Sequence, residues 1–326
     1  MLIPPKYFLT PRISELLSRI EAARAVIASI NIPPELETNI RRQSTLKSSL
    51  FSARIEGNPL TMEDFSKTPS REQKKVEVYN ILRARNLLAR HAKKDLTAQD
   101  ILELHSIVMD SLSADKGVFR REVSAIFNSA GIAIYMPPPP RSLPGTLRRF
   151  LAYVNSPKEQ FIPIRACLAH YSFEKIHPFL DGNGRVGRLV LQFVLEKGSY
   201  GMLGLLAIEE YLDEHRSLYY RLLENSKNDT TDYLEFMLEA IAVTAESAQK
   251  LVLEKKDAEK EDFLLPRRAE IFRVIQDHGL VSFDQIRRRF WAVNERTLRY
   301  DLKKLQDSGF IRKRGHTKGA SYEVIR

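Results

Sequence analysis

Cysteine is almost absent from this chain, since Cys167 is the single one among 326 residues. One cysteine excludes an internal disulfide and a zinc site built from clustered cysteines. Because Cys167 lies in an apolar helical pattern, we expect a buried core thiol rather than a nucleophile. So low a cysteine content fits a reducing compartment.

Targeting signals and long apolar runs are also missing. The first residues, MLIPPKYFLTPR, lack the apolar core and small-residue cleavage site of a secretory signal. The longest uncharged run, residues 123–140, ends in four consecutive prolines and cannot span a bilayer as a helix. Hydrophobic residues still make up 43% of the chain, which suits a globular protein. We therefore predict a soluble, cytoplasmic protein with no membrane partner.

Acidic residues are outnumbered by basic ones at the C-terminal end. Residues 266–326 contain 15 Lys and Arg against 7 Asp and Glu, a net charge of +8 out of +10 for the whole chain. Such a local excess of positive charge indicates an acidic partner, with nucleic acid as the first candidate.

Apolar residues recur at helical intervals along most of the chain, so we expect a mainly α fold. Proline and glycine end several of these segments. The predicted helices cover residues 13–30, 35–55, 76–91, 97–112, 144–155, 163–176, 185–196, 207–225, 231–256, 267–278, 282–289 and 295–307. The polar stretch 63–75 is expected to be exposed, and residues 246–262 to form a helix extension or a linker. The predicted domains are 1–94, 95–262 and 266–326.

Residues 119–135 interrupt the helical pattern. Two β-prone runs flank Asn128-Ser-Ala-Gly131, which predicts a β-hairpin. The alternative is an irregular loop, and the four prolines that follow stiffen its exit.

The segment HPFLDGNGRVGR, residues 177–188, combines a histidine, a carboxylate, three glycines and two arginines. Apolar helical patterns precede and follow it, so it is expected to be a loop that enters a helix N-terminus. Unpaired N–H groups and the helix dipole attract anions there, and glycines let a ligand approach the backbone. Arg185 and Arg188 suit phosphate oxygens, Asp181 suits magnesium, and His177 suits proton transfer. The segment therefore predicts phosphate-transfer chemistry onto a group that loses a proton.

This segment resembles the signature of the Fic family, HxF-x-[DE]-G-N-G-R-xx-R, and fills each of its positions. Most Fic proteins studied move AMP from ATP to a protein hydroxyl. The resemblance implies that His177 accepts the proton and that Asp181 holds Mg²⁺. The implied nucleotide-binding residues are Gly182, Asn183, Gly184, Arg185, Val186, Gly187, Arg188 and, on a neighbouring helix, Tyr220. Phe179 is expected to pack under the loop.

Two further segments fit the same resemblance. The hairpin would be the family's flap, which captures the target main chain as an added strand through Ile132, Ala133, Ile134 and Tyr135. SARIEG, residues 52–57, resembles the family's inhibitory motif, [ST]xxxE[GN]. Ser52 and Glu56 are four residues apart on a predicted helix face, and a Glu56 carboxylate on Arg188 would remove the charge that grips the γ-phosphate.

The basic C-terminal segment resembles a winged helix-turn-helix: three predicted helices, then two short strands around a basic loop. Within it, NERTLRYDLKKLQDSGFI is similar to a recognition helix followed by a wing strand. The candidate DNA contacts are Arg296, Arg299, Lys303 and Arg312. A winged helix used for protein contact is the alternative.

The leading interpretation is a self-restrained protein adenylyltransferase with ATP as co-substrate, Mg²⁺, and a target protein carrying a Ser, Thr or Tyr hydroxyl. Two alternatives stay open: a DNA-binding regulator that senses nucleotide without turnover, and a transferase of UMP or phosphocholine. The family resemblance is also compatible with a homodimer.

Overall fold

The computed structural model describes residues 2–67, 69, 71–91, 94–127, 133–224, 229–256, 264–315 and 320–325. The chain divides into two compact units, residues 1–31 with 40–253 and residues 32–39 with 254–326. The fold is mainly helical, as the sequence predicts. None of the described helices is long and apolar enough to cross a membrane.

Helices build most of the first unit. Their bounds are α1 Pro11–Ser29, α2 Pro34–Ile55, α3 Met62–Lys67, α4 Gln73–His91, α5 Ala98–Val108, α6 Leu143–Val154, α7 Ile162–Ile176, α8 Asn183–Lys197, α9 Ile208–Glu214, α10 Arg216–Glu224 and α11 Thr231–Lys256. The central helix is α7, whose residues are buried on almost every side, including the polar Arg165, His170 and Lys175. It packs against α6 and α8. The loop that joins α7 to α8 is therefore attached at both ends to helices that pack against each other.

The predicted hairpin is present as β1 (Ile126–Phe127) and β2 (Ala133–Tyr135), which pair antiparallel with a bulge between Ile126 and Phe127. Its turn, residues 128–132, lies outside the described residues and includes Ile132 of the predicted flap. Tyr135 donates a hydrogen bond to the Lys175 carbonyl over 2.9 Å, and the Lys175 Nζ lies 4.1 Å from the Tyr135 ring centre. The hairpin is thereby attached to the last turn of α7.

Three local predictions are wrong. Residues 207–225 form two helices, because His215 leaves the helical region (φ −110°, ψ 29°) and its Nδ1 lies 2.9 Å from the Tyr211 carbonyl. Helix α5 ends at Val108, and the next residues form a turn in which Ser111 has a φ of 61°. The stretch 63–75 is not uniformly exposed, since α3 buries Phe65 against Leu50 and its neighbours.

The second unit combines three helices with a small sheet. Its elements are α12 Pro266–His278, β3 Val281–Ser282, α13 Phe283–Arg289, α14 Glu295–Asp307, β4 Ile311–Arg314 and β5 Ser321–Val324. The strand order is β3-β5-β4, all antiparallel. Ser282 caps α13 in a capping box with Gln285, and Asn294 caps α14. Ile275, Ile286 and Leu298 belong to a separate apolar core of this unit.

Candidate active site

The turn from α7 into the loop is fixed by a buried arginine. His177 ends α7 in the left-handed conformation (φ 47°, ψ 62°), which a histidine adopts at a cost of roughly 1 kcal/mol. Arg120 donates from Nε to the His177 carbonyl over 2.7 Å and from its main-chain N–H to the Pro178 carbonyl over 2.9 Å. The Arg120 guanidinium also contacts the Pro138 carbonyl after the hairpin. One buried side chain therefore holds the hairpin exit and the His177 turn together.

Asn183 closes the loop on itself. Its Oδ1 accepts from the Phe179 N–H and its Nδ2 donates to the Phe179 carbonyl, both over 2.9 Å. The side chain is only 2% exposed, so its amide braces the loop rather than facing solvent. Gly182 turns the chain in between with a φ of 80°, which favours glycine.

Phe179 packs beneath the loop, as predicted, fully buried and stacked on His105 with ring centres 3.6 Å apart. The His105 Nδ1 accepts from the Gly117 N–H over 2.9 Å, which assigns the proton to Nε2. Nε2 then donates to the Asp181 carbonyl over 3.0 Å. Burial lowers the pKa of His105, which keeps this bracing ring neutral.

His177 is positioned to accept a proton. Burial lowers its pKa to about 4, although a main-chain hydrogen bond at Glu174 partly opposes the shift. The imidazole is thus unprotonated near neutral pH. Nδ1 is buried, so proton exchange with a substrate falls to Nε2.

Helix α8 begins at Asn183 immediately after this turn, and no described side chain caps it. Its first N–H groups and the positive end of its dipole favour an anion. A carboxylate lies there, because a Cβ added at Gly184 would overlap the Oε1 atom of Glu56. Glycine at position 184 therefore makes room for an anionic group directly above the helix end.

Arg188 joins the loop to α2. Its Nη2 lies 2.8 Å from Glu56 Oε1 and 2.9 Å from the Ser52 carbonyl, and its Nε donates to Ser52 Oγ over 2.9 Å. The arginine is 1% exposed, and burial alone would lower its pKa, but the Glu56 carboxylate raises it above the usual value. Arg188 is therefore fully charged and shares its hydrogen bonds with the two residues of the sequence motif. Glu56 itself lies one residue beyond α2, in a turn that Gly57 completes with a φ of 101°.

Arg185 has different partners. Its Nη1 lies 2.5 Å from Glu77 Oε1 on α4, and its Nη2 lies 2.9 Å from Asp181 Oδ1. The residue is 5% exposed, and its Nε is buried without a partner among the described atoms. Asp181 is the opposite case, with a side chain 67% exposed. Val186 is fully buried, so only its main chain can face a ligand.

Tyr220 lies beside the end of α2 rather than beside the loop alone. Its hydroxyl donates to the Ile55 carbonyl over 3.0 Å, which satisfies a carbonyl that the helix end leaves open. The neighbouring Tyr219 is buried and hydrogen-bonds to His170 Nε2 over 3.1 Å. The adjacent tyrosines therefore face different surroundings, and Tyr220 is the accessible one.

A buried carboxyl group lies behind the loop. Burial raises the pKa of Glu174 to about 8, so the group is mostly protonated at neutral pH. A Cβ on Gly187 would overlap its Oε1 atom, which explains a glycine at that helical position. Glu174, Glu77 and Arg120 are the site residues that the sequence analysis missed, since none of them belongs to a recognisable spacing pattern.

The four candidate DNA contacts of the second unit divide into two kinds. Arg296 and Lys303 are exposed on α14. Arg299 lies 3.9 Å from the Phe283 ring centre and 3.6 Å from Glu295 Oε2. Arg312 forms an ion pair with Glu323 on the adjacent strand. Part of the positive charge of this unit is therefore neutralised locally.

Comparison with known proteins agrees with this geometry. Residues 95–195 match the model of the Fic/DOC family. The chain is 26% identical over 242 residues to the protein adenylyltransferase Fic of Drosophila willistoni, covering 70% of this chain and 46% of the relative. The Drosophila melanogaster protein of the same name gives 26% identity, with 70% and 47% coverage. The chain spans about half the length of these curated relatives. It therefore contains a Fic domain and is homologous to Fic protein adenylyltransferases.

Solved structures share the fold. A Fic family protein from Desulfovibrio desulfuricans G20 superposes with a TM-score of 0.69 at 24% identity, covering 98% of both chains. Fic-1 from C. elegans gives a TM-score of 0.59 at 21% identity, covering 74% of this chain and 72% of that one.

Proposed function

We propose that the protein transfers AMP from ATP to a hydroxyl side chain (Ser, Thr or Tyr) of a target protein. The observation that carries the proposal is the neutral His177 beside an uncapped helix N-terminus that already accommodates a carboxylate. The homology to Fic adenylyltransferases supports the choice of AMP over other groups.

In the proposed reaction, the target hydroxyl oxygen bonds to the α-phosphorus of ATP and the bond from that phosphorus to the bridging β-oxygen breaks. The hydroxyl proton passes to His177, and pyrophosphate leaves with the electron pair of the broken bond. The N–H groups of residues 183–185 would stabilise the phosphate oxygens, and Arg185 and Arg188 would neutralise their charge. The Asn183 side chain contributes by holding the loop in shape, since Phe179 engages its amide.

The donor set suits magnesium that is held largely by the nucleotide. Among the described residues, no group of three His, Cys, Asp or Glu side chains could hold a metal ion by itself. Asp181 offers one exposed carboxylate whose Oδ2 has no described partner, and Mg²⁺ is commonly held by one carboxylate with substrate phosphates and water. Asp181 would hold the ion, which would neutralise charge on the leaving pyrophosphate.

Glu56 is proposed to restrain this activity. It places a carboxylate on Arg188 and above Gly184, so it takes both the cation and the helix-end position that an ATP phosphate would use. Nucleotide would then bind without its terminal phosphate in the productive place. Displacement of Glu56 would free the Arg188 guanidinium and the position above Gly184 at the same time.

The hairpin is proposed to receive the target. Strand β2 consists of Ala133–Tyr135. The Tyr135 hydroxyl connects it to the carbonyl of Lys175, two residues before His177. A target segment added alongside β2 would carry its hydroxyl toward His177.

The C-terminal segment, residues 266–326, is proposed to be a winged helix-turn-helix that binds DNA. The order helix, strand, two helices and two strands is the one this class requires, with α14 as the recognition helix. Exposed Arg296 and Lys303 support this role more directly than Arg312, whose charge is paired.

Labelled nucleotides test the main proposal. The Glu56→Gly variant is incubated with cell extract and with ATP, UTP or CDP-choline, each labelled on the group that would be transferred. We expect label on protein from ATP, resistant to denaturation and identified as AMP on a hydroxyl by mass spectrometry. Label from UTP or CDP-choline alone would replace AMP by that group, and no transfer from any donor would refute the enzymatic proposal.

A further inference from the structure

A cavity of about 380 Å³ lies in the first unit, and none of its lining residues belongs to the catalytic loop. Its walls come from α2, α4, α8 and the segment 199–204. A volume of this size lies within the range of pockets that bind small organic molecules.

The cavity contains an arginine without a charge partner. Arg85 Nη1 is buried and has no hydrogen-bond partner among the described residues. Its Nη2 makes only long contacts, 3.5 Å to the Gly204 carbonyl and 3.4 Å to the Leu206 carbonyl. Arg85 is half-buried as a residue, but a buried N–H normally donates to an acceptor, so Nη1 lacks the partner that its own burial demands.

Neighbouring carboxylates do not supply this partner. Glu209 accepts hydrogen bonds from Ser48 Oγ over 2.7 Å and from Gln192 Nε2 over 3.4 Å. Glu196 is exposed and also lines the cavity, where its carboxylate lies against Gly201. Both acidic groups act on Arg85 through space, but neither forms an ion pair with it among the described contacts.

A second, independent observation is backbone strain. Five described non-glycine residues have a positive φ, and three of them line this cavity: Ser199 (64°), Met202 (46°) and Leu203 (59°). Another of the five is His177. Such conformations persist where the surroundings enforce them, and they concentrate at binding and catalytic sites.

A second arginine faces the same segment. Arg41 on α2 donates from Nε to the carbonyl of Leu203 over 2.9 Å. Arg41 and Arg85 therefore approach the strained segment from two different helices, and both line the cavity. Leu88 and Phe193 add apolar surface beside them.

We propose that this cavity is a binding site for a small organic anion whose carboxylate or phosphate monoester group pairs with Arg85 and Arg41. Guanidinium groups recognise both kinds of anion through paired hydrogen bonds, and the apolar body of the ligand would lie beside Leu88 and Phe193. The site is independent of the proposed AMP transfer, because no residue of the catalytic loop contributes to it.

Calorimetric titration of the full chain tests the proposal with three matched probes: benzoate, phenyl phosphate and neutral benzyl alcohol. We expect saturable binding of at least one anion in the millimolar range or tighter, and none of benzyl alcohol. Arg85→Met should weaken the bound anion by about tenfold or more. Arg83→Met is the control, because Arg83 is exposed on the same helix and pairs with Asp110 over 3.2 Å.

A steric variant covers the case in which Arg85→Met fails to fold. Ala89 is exposed and lines the cavity, so Ala89→Trp fills the space and leaves both arginines in place. Loss of anion binding in Ala89→Trp supports the proposal. Binding that survives this variant would place the anion elsewhere, such as the α8 N-terminus. The site is also ruled out if neither anion binds the wild-type chain at about 10 mM. Preference between benzoate and phenyl phosphate assigns the ligand class.

Discussion

The catalytic loop, residues 177–188, and the basic face of the C-terminal unit, made of Arg296, Arg299, Lys303 and Arg312, use arginine in opposite ways. In the loop, Arg188 and Arg185 are almost fully buried, and each is paired with a carboxylate from a segment distant in sequence. In the C-terminal unit, Arg296 is exposed and Arg312 pairs with a strand neighbour. Buried charges interact strongly and individually, whereas exposed charges are screened and act as a sum. Single substitutions should therefore have large effects in the loop and small, salt-dependent effects on the basic face.

We expect the largest effect on AMP transfer from substitution of His177, the proposed base. His177→Ala should lower AMP transfer from labelled ATP by a factor of roughly 100 to 10,000, because general base catalysis contributes about that much. Nucleotide binding should persist, since the helix end and its arginines remain. His215→Ala is the control, as His215 is exposed between α9 and α10. Transfer at the wild-type rate by His177→Ala would refute the assignment of the base.

The next effect tests the ion pair between α2 and the loop. Glu56→Gly should raise single-turnover AMP transfer by roughly 10- to 100-fold, because it removes a charge-assisted hydrogen bond from Arg188. In an Arg188→Ala background, the same change should do little. The double-mutant cycle measures this coupling directly.

Two results would contradict that account. Equal activation with and without Arg188 would mean that Glu56 acts through another group, such as the space above Gly184. An unchanged rate in Glu56→Gly with Arg188 intact would remove the inhibitory role altogether. Glu56→Gln, which keeps the volume and removes the charge, separates charge from bulk.

The pH dependence of AMP transfer should reflect the lowered pKa of the buried His177. Because the pKa of His177 is lowered to about 4, its neutral, proton-accepting form persists as the pH falls and is lost only below about pH 5. We expect kcat/KM of the Glu56→Gly variant to be level between about pH 6 and pH 8. A loss of activity centred near pH 6.5, the usual value for histidine, would show that the ring is solvated during catalysis.

The smallest effects belong to the basic face. Arg296→Ala should weaken DNA binding a few-fold and reduce the slope of log affinity against log salt by about 1, as expected for one lost phosphate contact. Arg312→Ala should change both quantities less, because Arg312 and Arg314 share the Glu323 carboxylate. Fluorescence anisotropy over a series of salt concentrations measures both. Equal effects of the two substitutions would show that strand β4 meets DNA, and no salt-dependent binding by the wild-type chain would favour a protein partner.

The features that depend on local sequence patterns could be predicted from the sequence. The helices, the hairpin position and the loop 177–188 follow from periodicity, turn residues and a long motif. Glu56 was predictable because it belongs to a second motif whose partner, Arg188, belongs to the first. The packing of Phe179 beneath the loop was also expected from the family resemblance.

The remaining site residues could not be found in this way, because their roles depend on contacts between distant segments. Glu77 pairs with Arg185 across 108 residues, and Arg120 holds a carbonyl 57 residues away. Nothing in the spacing around either residue signals the contact. Strand β3 is only two residues long, and it pairs because β5 lies beside it rather than because of its own sequence.

The Glu56–Arg188 contact also has a consequence for the order of synthesis. Its two residues are 132 positions apart, and Glu56 leaves the ribosome first. At ordinary elongation rates, the segment that carries Glu56 is made roughly 7 to 26 s before Arg188. Under the proposed role of Glu56, a newly made loop folds in the presence of its inhibitor, and the nascent chain has no interval of unrestrained activity. An inhibitor encoded after the loop would leave such an interval in every molecule made.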